Sequence, residues 1–273
     1  MFSTFVIALR EGLEAALIVG ILLAYLHKSR RLHHRGALWT GVCLAIALSL
    51  ALGAFLSFTS HELPQHGEEV FAGTLAIVAV ALVTGMVFWM KRTARTMRYE
   101  LENKASQALS VGALAMATTA FVAVAREGLE TALFIYTNFA TVKSSRGPSF
   151  GLILGLGSAV ALGALIYRRT VSIDLGKFFK FTGVALIVVA AGVLANGIGD
   201  LQAAGWIPGG NAQAWNLESW LSPDSLIASL LAGSIGFSTI MTWLQVLFWS
   251  IYLSVVLNFY LRPARIRKSH LSK

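Results

Sequence analysis

The sequence predicts an all-α protein that crosses a membrane several times, and composition, apolar segments and charge placement all support this fold class. Hydrophobic residues make up 56% of the 273 residues, whereas charged residues make up only 13%. A soluble domain of this length usually has about a quarter of its residues charged. This chain has roughly half that share, so lipid must cover much of its surface.

Seven segments are apolar and long enough to cross a bilayer, whose hydrocarbon core of about 30 Å needs about 20 helical residues. They are Phe2–Leu26, Ala37–Thr59, Val70–Met90, Gly112–Tyr136, Phe150–Tyr167, Phe178–Gly199 and Thr239–Leu261. The first segment does not resemble a cleavable signal peptide, because three charged residues interrupt its apolar core. We therefore predict a single transmembrane domain over residues 1–273 with seven spans.

The charges between these spans alternate along the chain. Lysine and arginine cluster after spans one, three and seven and around the loop after span five, whereas the other loops are mainly acidic. Because a Lys/Arg excess marks the cytoplasmic side, the N-terminus is predicted outside and the C-terminus inside the cytoplasmic (inner) membrane. Such short, separated clusters account for the net charge of +9 without a nucleic-acid partner.

The same pentapeptide occurs in the first and fourth spans, as Arg10–Glu14 and as Arg126–Glu130. A weaker match relates Phe71-Ala72-Gly73 in span three to Phe181-Thr182-Gly183 in span six. Spans one to three therefore correspond to spans four to six. Because three is an odd number, the second copy must enter the membrane from the opposite side. Such inverted repeats hold their substrate site near the midplane, between the repeats.

This repeat divides the domain into consecutive parts. The predicted parts are repeat one (1–90), repeat two (112–200), an outer loop (200–238), a seventh helix (239–261) and a cytoplasmic tail (262–273).

The paired pentapeptides place six ionisable residues within two membrane helices. One charged residue at the bilayer centre costs about 2.5–3.5 kcal/mol on insertion scales. Within each motif the two glutamates, at positions i and i+3, share a helix face, and the arginine reaches the second glutamate at i+4. The glycine between them allows close approach of another helix. The predicted site consists of Glu11, Glu14, Glu127 and Glu130, supported by Arg10, Arg126, Gly12 and Gly128.

Converging carboxylates, with no histidine in any predicted span and one cysteine in the chain, suit a hard cation with oxygen ligands. Iron, manganese, magnesium, calcium and protons all fit this chemistry. The structural alternative is a pair of interhelical salt bridges, but two arginines leave two carboxylates in surplus. A membrane redox enzyme would need cofactor ligands such as paired histidines within the spans.

The two pentapeptides, together with Val87–Met90 and Ala123–Glu130, resemble the family of oxidase-dependent iron permeases over most of the chain. The resemblance implies high-affinity uptake of Fe(II) or Fe(III), with the four motif glutamates needed for transport. It implies iron as the substrate and no permanently bound cofactor. Family members can handle other heavy metals, so a permease for lead or manganese is the alternative.

The resemblance also implies partners in iron delivery. In fungi the partner is a multicopper ferroxidase, and in bacteria the partners are a periplasmic iron-binding protein and a haem peroxidase. This chain departs from the family at Ala72, where bacterial relatives tend to have an acidic residue. Nearby His66, Glu68 and Glu69 in the outer loop could capture the metal, although an ordinary solvated loop has the same composition.

The sequence contains no phosphate-binding loop of the Gly-Lys-Ser/Thr type. The chain is therefore predicted not to be an ATPase or another enzyme, and ion gradients, the membrane potential or a partner would drive transport.

Overall fold

A computed structural model describes residues 2–93, 97–141, 146–167, 175–222, 225, 228, 231–232 and 235–262. Eight long helices account for most of this part of the chain. They are α1 (Phe2–Lys28), α2 (Arg35–Glu62), α3 (Gln65–Thr93), α4 (Met97–Val111), α5 (Ala113–Thr141), α6 (Arg146–Tyr167), α7 (Leu175–Ala203) and α8 (Trp243–Leu261). Two short strands, β1 (Gln213–Asn216) and β2 (Ile240–Thr242), form an antiparallel pair between α7 and α8.

Five of the described helices are long and apolar enough to cross a membrane, which confirms a multi-pass membrane protein. They correspond to α2, α3, α6, α7 and α8. The helices α1 and α5 are as long, with 27 and 29 residues, but each has three charged motif residues near its middle. The seven-span count therefore stays a prediction.

The helices pack in pairs around α1 and α5. Helix α1 packs along α6, α2 along α5, and α3 along α7. Helices α1 and α5 also contact each other and both contact α7, so they occupy the centre of the bundle. Apolar side chains on α2 and α6 that do not line the cavity described below, such as Leu44 and Ile153, are about two-thirds exposed, as expected for lipid-facing residues.

The connection between the third and fourth predicted spans contains a helix that the sequence analysis took for a loop. Helix α4 is too short to cross a bilayer, since 15 residues extend only about 22 Å. It carries Glu100, Glu102 and Lys104 and contacts both α1 and α5. Gly112 separates α4 from α5 and has a φ of 131°. Glycine adopts positive φ values far more readily than other residues, so it suits this break between two helices.

Three helices have different ends from the predicted segments. The outer loop before span three is reduced to Leu63–Pro64, because α2 extends to Glu62 and α3 already begins at Gln65. The loop predicted over 200–238 contains the end of α7 and the strand β1. The seventh helix starts at Trp243 rather than at residue 239, since Ile240–Thr242 pairs with β1. Apart from Arg262, the predicted cytoplasmic tail lies outside the described residues.

Polar contacts fix the start of α8 against α7. Thr242 and Gln245 form a capping box, in which each side chain bonds the backbone of the other residue. The Gln245 amide also donates to the carbonyl oxygen of Ala195 at 3.0 Å, and the Thr242 hydroxyl donates to Gln202 at 2.8 Å. Gly199 gives the Gln245 side chain the room that it needs.

Close contact between α2 and α5 depends on a glycine, which allows a test of the packing. A Cβ at Gly41 would fall well inside van der Waals contact with the backbone carbonyl of Ala117. Gly41→Ala should therefore destabilise the purified protein by about 1–3 kcal/mol, because two helix backbones must move apart. Thermal unfolding in detergent, followed by tryptophan fluorescence, measures the effect.

Gly85→Ala in α3 is the matched control, since a Cβ there would meet nothing within 4 Å. Its melting temperature should stay the same or rise slightly, because alanine favours the helix. Equal melting temperatures for both variants would contradict the close packing of α2 on α5.

Candidate metal site

The two pentapeptides lie side by side at the contact between α1 and α5. Arg10–Glu14 occupies the first half of α1, and Arg126–Glu130 occupies the middle of α5. Glu11, Glu14 and Glu127 are buried, with at most 4% of each residue exposed. The side chain of Glu130 is 15% exposed.

Three of the four predicted carboxylates form one cluster. One oxygen atom from each of Glu11, Glu14 and Glu127 lies within 4.8 Å of the corresponding atoms of the other two. Two ligands held about 2.0–2.6 Å from one cation can be at most about 4–5 Å apart. The three oxygens are therefore spaced as ligands of a single cation could be.

Hydrogen bonds do not saturate these carboxylates within the described part of the chain. Both oxygens of Glu11 and of Glu14, and one oxygen of Glu127, are buried without such a partner. Buried polar groups in proteins are nearly always hydrogen-bonded or bound to an ion. An ion pair with Arg10 satisfies only part of this acceptor capacity, so the remaining lone pairs could accept a cation.

Arg10 supplies the positive charge within this cluster. Its Nε lies 3.2 Å from Glu14 Oε1, and its Nη1 lies 3.8 Å from Glu11 Oε1. Only 1% of this arginine is exposed. Three carboxylates and one guanidinium have a formal net charge of −2, which a divalent cation would neutralise.

The second arginine has a different environment, although its pentapeptide is identical. The Arg126 side chain is 43% exposed, and its Nε donates to Glu130 Oε1 at 3.2 Å. Its guanidinium carbon lies 4.2 Å from the centre of the Trp89 ring on α3. Arg126 and Glu130 thus form a separate ion pair beside the three-carboxylate cluster.

Each motif glycine allows another helix to approach closely. A Cβ at Gly12 would lie 2.8 Å from the Cβ of Ala159 on α6. A Cβ at Gly128 would overlap the hydroxyl of Ser49 on α2. Larger residues at either position would displace the neighbouring helix from the cluster.

A cavity of about 560 Å³ adjoins the cluster and is lined by residues of α1, α2, α5 and α6. Glu11 and Glu127 line it, as do Trp39 near the start of α2 and Tyr167 at the end of α6. Most of the remaining lining is apolar, with Ser49 and Thr131 as hydroxyl groups near the glutamates.

The residues predicted for outer capture do not join the buried cluster. His66 and Glu68 are exposed in the first turns of α3, and the Ser60 hydroxyl lies 3.5 Å from Glu68 Oε1. Asp200, which the sequence analysis assigned to a loop, lies in α7 close enough for its charge to interact with Glu68 and Glu69. Asp200 is helical because α7 continues to Ala203, beyond the predicted end of span six at Gly199.

Comparisons with known proteins agree on one family. The family described as Iron permease FTR1 matches residues 1–268 of the chain. Ferrous iron permease EfeU of Escherichia coli O6:K15:H31 is 39% identical over 268 residues, covering 97% of each chain. Ferrous iron permease EfeU of Yersinia pseudotuberculosis serotype I is 40% identical over 271 residues, covering 97% of this chain and 95% of that protein. No solved structure matches the chain.

The geometry predicts how each glutamate contributes to cation binding. Glu11→Gln, Glu14→Gln and Glu127→Gln should each weaken binding of Fe²⁺ or Mn²⁺ by at least about tenfold. This is because loss of an outer-shell partner alone typically costs about 10–100-fold in metal affinity. Glu130→Gln should have a smaller effect, since Glu130 pairs with Arg126 outside the three-residue cluster. Anaerobic equilibrium binding to the detergent-purified protein measures these affinities.

The exposed Glu218 provides the control, because Glu218→Gln should leave the affinity unchanged. If Glu130→Gln weakened binding more than the other three substitutions, the assignment of the cluster would be wrong.

Proposed function

Because the chain belongs to the iron permease FTR1 family, we propose that it carries ferrous iron across the inner membrane into the cell. Both relatives described above are named ferrous iron permeases and match nearly the whole chain. Family membership and five apolar helices make the chain a membrane permease rather than a soluble protein.

The convergence of Glu11, Glu14 and Glu127 is the observation that carries the proposal. These residues come from both pentapeptides, so neither helix alone could form the site. Carboxylate oxygens are suitable ligands for Fe²⁺, and the net charge of −2 around Arg10 matches a divalent rather than a trivalent ion. Glu130 completes the proposed set of four glutamates as the partner of Arg126.

The packing of the helices supports seven spans arranged as an inverted repeat. If α1, α2 and α3 correspond to α5, α6 and α7, the exchange of repeats turns the α1–α6 contact into the α5–α2 contact. The α1–α5 and α3–α7 contacts are each their own equivalent under this exchange. Helix α8 would then be the extra C-terminal span. With the N-terminus outside, the glutamate cluster lies near the midplane, as in other inverted-repeat transporters.

This orientation gives the cation a route with two ends. Glu68 and Glu69, together with His66 and Asp200, lie at the outer end and would attract cations from the periplasmic side. The cation would then bind among the three buried carboxylates, exchanging water for glutamate oxygens. The cavity that Trp39 and Tyr167 line would release it towards the cytoplasm.

Partners and energy source follow from the family resemblance. A periplasmic iron-binding protein and a haem peroxidase, or a ferroxidase, would deliver iron in the correct oxidation state. With no phosphate-binding loop in the sequence, the membrane potential or an ion gradient would drive the inward movement of positive charge. Iron would be a substrate and not a permanently bound cofactor.

Iron uptake by glutamate variants tests the proposed function. In proteoliposomes, Glu11→Ala, Glu14→Ala, Glu127→Ala and Glu130→Ala should each lower uptake of radioactive Fe²⁺ by at least about tenfold, whereas Glu218→Ala should not. Offering Fe²⁺ and Fe³⁺ separately, with Mn²⁺ and Pb²⁺ as competitors, identifies the substrate. Normal Fe²⁺ uptake in all four variants, with correct insertion, would refute the proposal. Preferred uptake of Mn²⁺ or Pb²⁺ would identify that metal, rather than iron, as the substrate.

A charge swap separates a transport site from a salt bridge that only joins helices. Arg10→Glu combined with Glu14→Arg keeps an ion pair at these positions but moves the guanidinium onto a cluster position. The double variant should insert into the membrane and yet lose at least about nine-tenths of Fe²⁺ uptake. Full uptake by this variant would favour a structural subunit whose ion pairs merely hold the helices.

A further inference from the structure

Trp89 on α3, within the Val87–Met90 segment that contributes to the family resemblance, contacts the second pentapeptide. Its ring lies beneath the guanidinium of Arg126, with 4.2 Å between the guanidinium carbon and the ring centre. Trp89 belongs to neither pentapeptide, and it is separated from Arg126 by α4 and by the whole first half of α5. A cation over the face of tryptophan is in the most favourable of the cation–π arrangements.

Two contacts hold the Arg126 side chain in place. The Trp89 ring contacts the guanidinium, and the Nε donates to Glu130 Oε1 at 3.2 Å. The side chain remains 43% exposed in spite of these contacts, so surrounding atoms do not enclose it as they enclose Arg10. A long, partly exposed side chain of this kind has other rotamers available.

Glu14 and Glu127 are alternative partners for this guanidinium. Arg126 is already close enough for its charge to interact with Glu14 and with Glu127. A second guanidinium among these carboxylates would reduce the negative charge of the cluster from −2 to −1. It would also occupy lone pairs that would otherwise bind the cation. The cluster would then attract a divalent cation less strongly.

We propose that Trp89 is a positioning residue that keeps Arg126 paired with Glu130 and out of the three-carboxylate cluster. The inference rests on the proposed cation site, because the position of Arg126 matters only if the cluster binds a cation. Arg10 is the cluster's own counter-charge. Arg126, on the other motif, stays outside the cluster, and Trp89 maintains this difference between two identical pentapeptides.

The competing explanation is that Trp89 is an ordinary interfacial tryptophan. It lies two residues before the basic end of α3, formed by Lys91 and Arg92, where amphipathic rings are common in membrane proteins. In that role its removal would affect stability or insertion in the same way whether or not residue 126 is an arginine.

A double-mutant cycle distinguishes these roles. The variants are Trp89→Leu, Trp89→Phe, Arg126→Gln and the double variant Trp89→Leu/Arg126→Gln, with Trp243→Leu as the control for loss of an exposed tryptophan. Anaerobic Fe²⁺ binding to purified protein and the KM and maximal rate of Fe²⁺ uptake in proteoliposomes are measured for each.

Trp89→Leu should weaken Fe²⁺ binding and raise the KM by about tenfold, the size expected for a partly desolvated cation–π contact. Trp89→Phe, which keeps an aromatic face, should lose about threefold or less. In the Arg126→Gln background the leucine substitution should have no further effect, since no guanidinium remains to be positioned. Trp243→Leu should match the parent protein.

Either of two results would overturn the role of Trp89 while leaving the proposed function intact. One is unchanged Fe²⁺ affinity in Trp89→Leu, and the other is an equal loss on adding this substitution to Arg126→Gln. Failure of the parent protein to bind or transport Fe²⁺ would refute the proposed function itself, and with it the inference drawn from it.

Discussion

The burial of charged groups in two central helices is the constraint on which the rest of the bundle depends. Arg10, Glu11 and Glu14 are almost fully buried in α1, in an environment where each isolated charge would cost several kcal/mol. The ion pair of Arg10 with Glu14 lowers this cost but leaves carboxylates in excess. The surrounding helices therefore have to bring a second α-helix, α5, close enough for both motifs to form one cluster. The motif glycines let α6 pack closely on α1 and α2 pack closely on α5, at positions where a Cβ would overlap the neighbouring helix.

Repetition of a pentapeptide does not give two equivalent half-sites. In α1 the arginine is enclosed and touches two carboxylates, whereas in α5 it is partly exposed and rests on Trp89. If the chain is an inverted repeat, as proposed, its two motifs would have opposite orientations in the membrane, so one arginine could be enclosed while the other remains accessible. In a transporter that alternates between two such arrangements, exposure of each motif would be expected to change in turn. The packing of helices is repeated in the two halves, while the electrostatic environment differs between them.

Much of this architecture was predictable because hydrophobic length and motif spacing are local properties of a sequence. They predicted a multi-pass helical protein with paired carboxylates in two helices, and the resemblance of the motifs to a known family predicted the iron permease family. Helix α4 was missed because polar residues after span three have the composition of a loop, and the strand pair was missed because β1 and β2 are distant in sequence. The difference between Arg10 and Arg126 could not be predicted at all. The two pentapeptides are identical, so their residues cannot reveal that α3 places an aromatic ring against Arg126.

The contrast between the cluster and the cavity beside it bears on release as well as on binding. Transport requires a site that binds firmly enough to capture a cation and weakly enough to release it. If the cluster is the cation site, as proposed, the apolar cavity walls offer few further ligands beyond Glu11 and Glu127, so a cation leaving the carboxylates would be hydrated as it departs. Solvation by water would then compete directly with three glutamate oxygens, and the net charge of the cluster would set the balance. A surplus of two negative charges would favour a divalent ion, while Arg10 would prevent the stronger hold that three unpaired carboxylates would exert. With Arg126 outside the cluster and Arg10 inside it, such a site would balance capture against release.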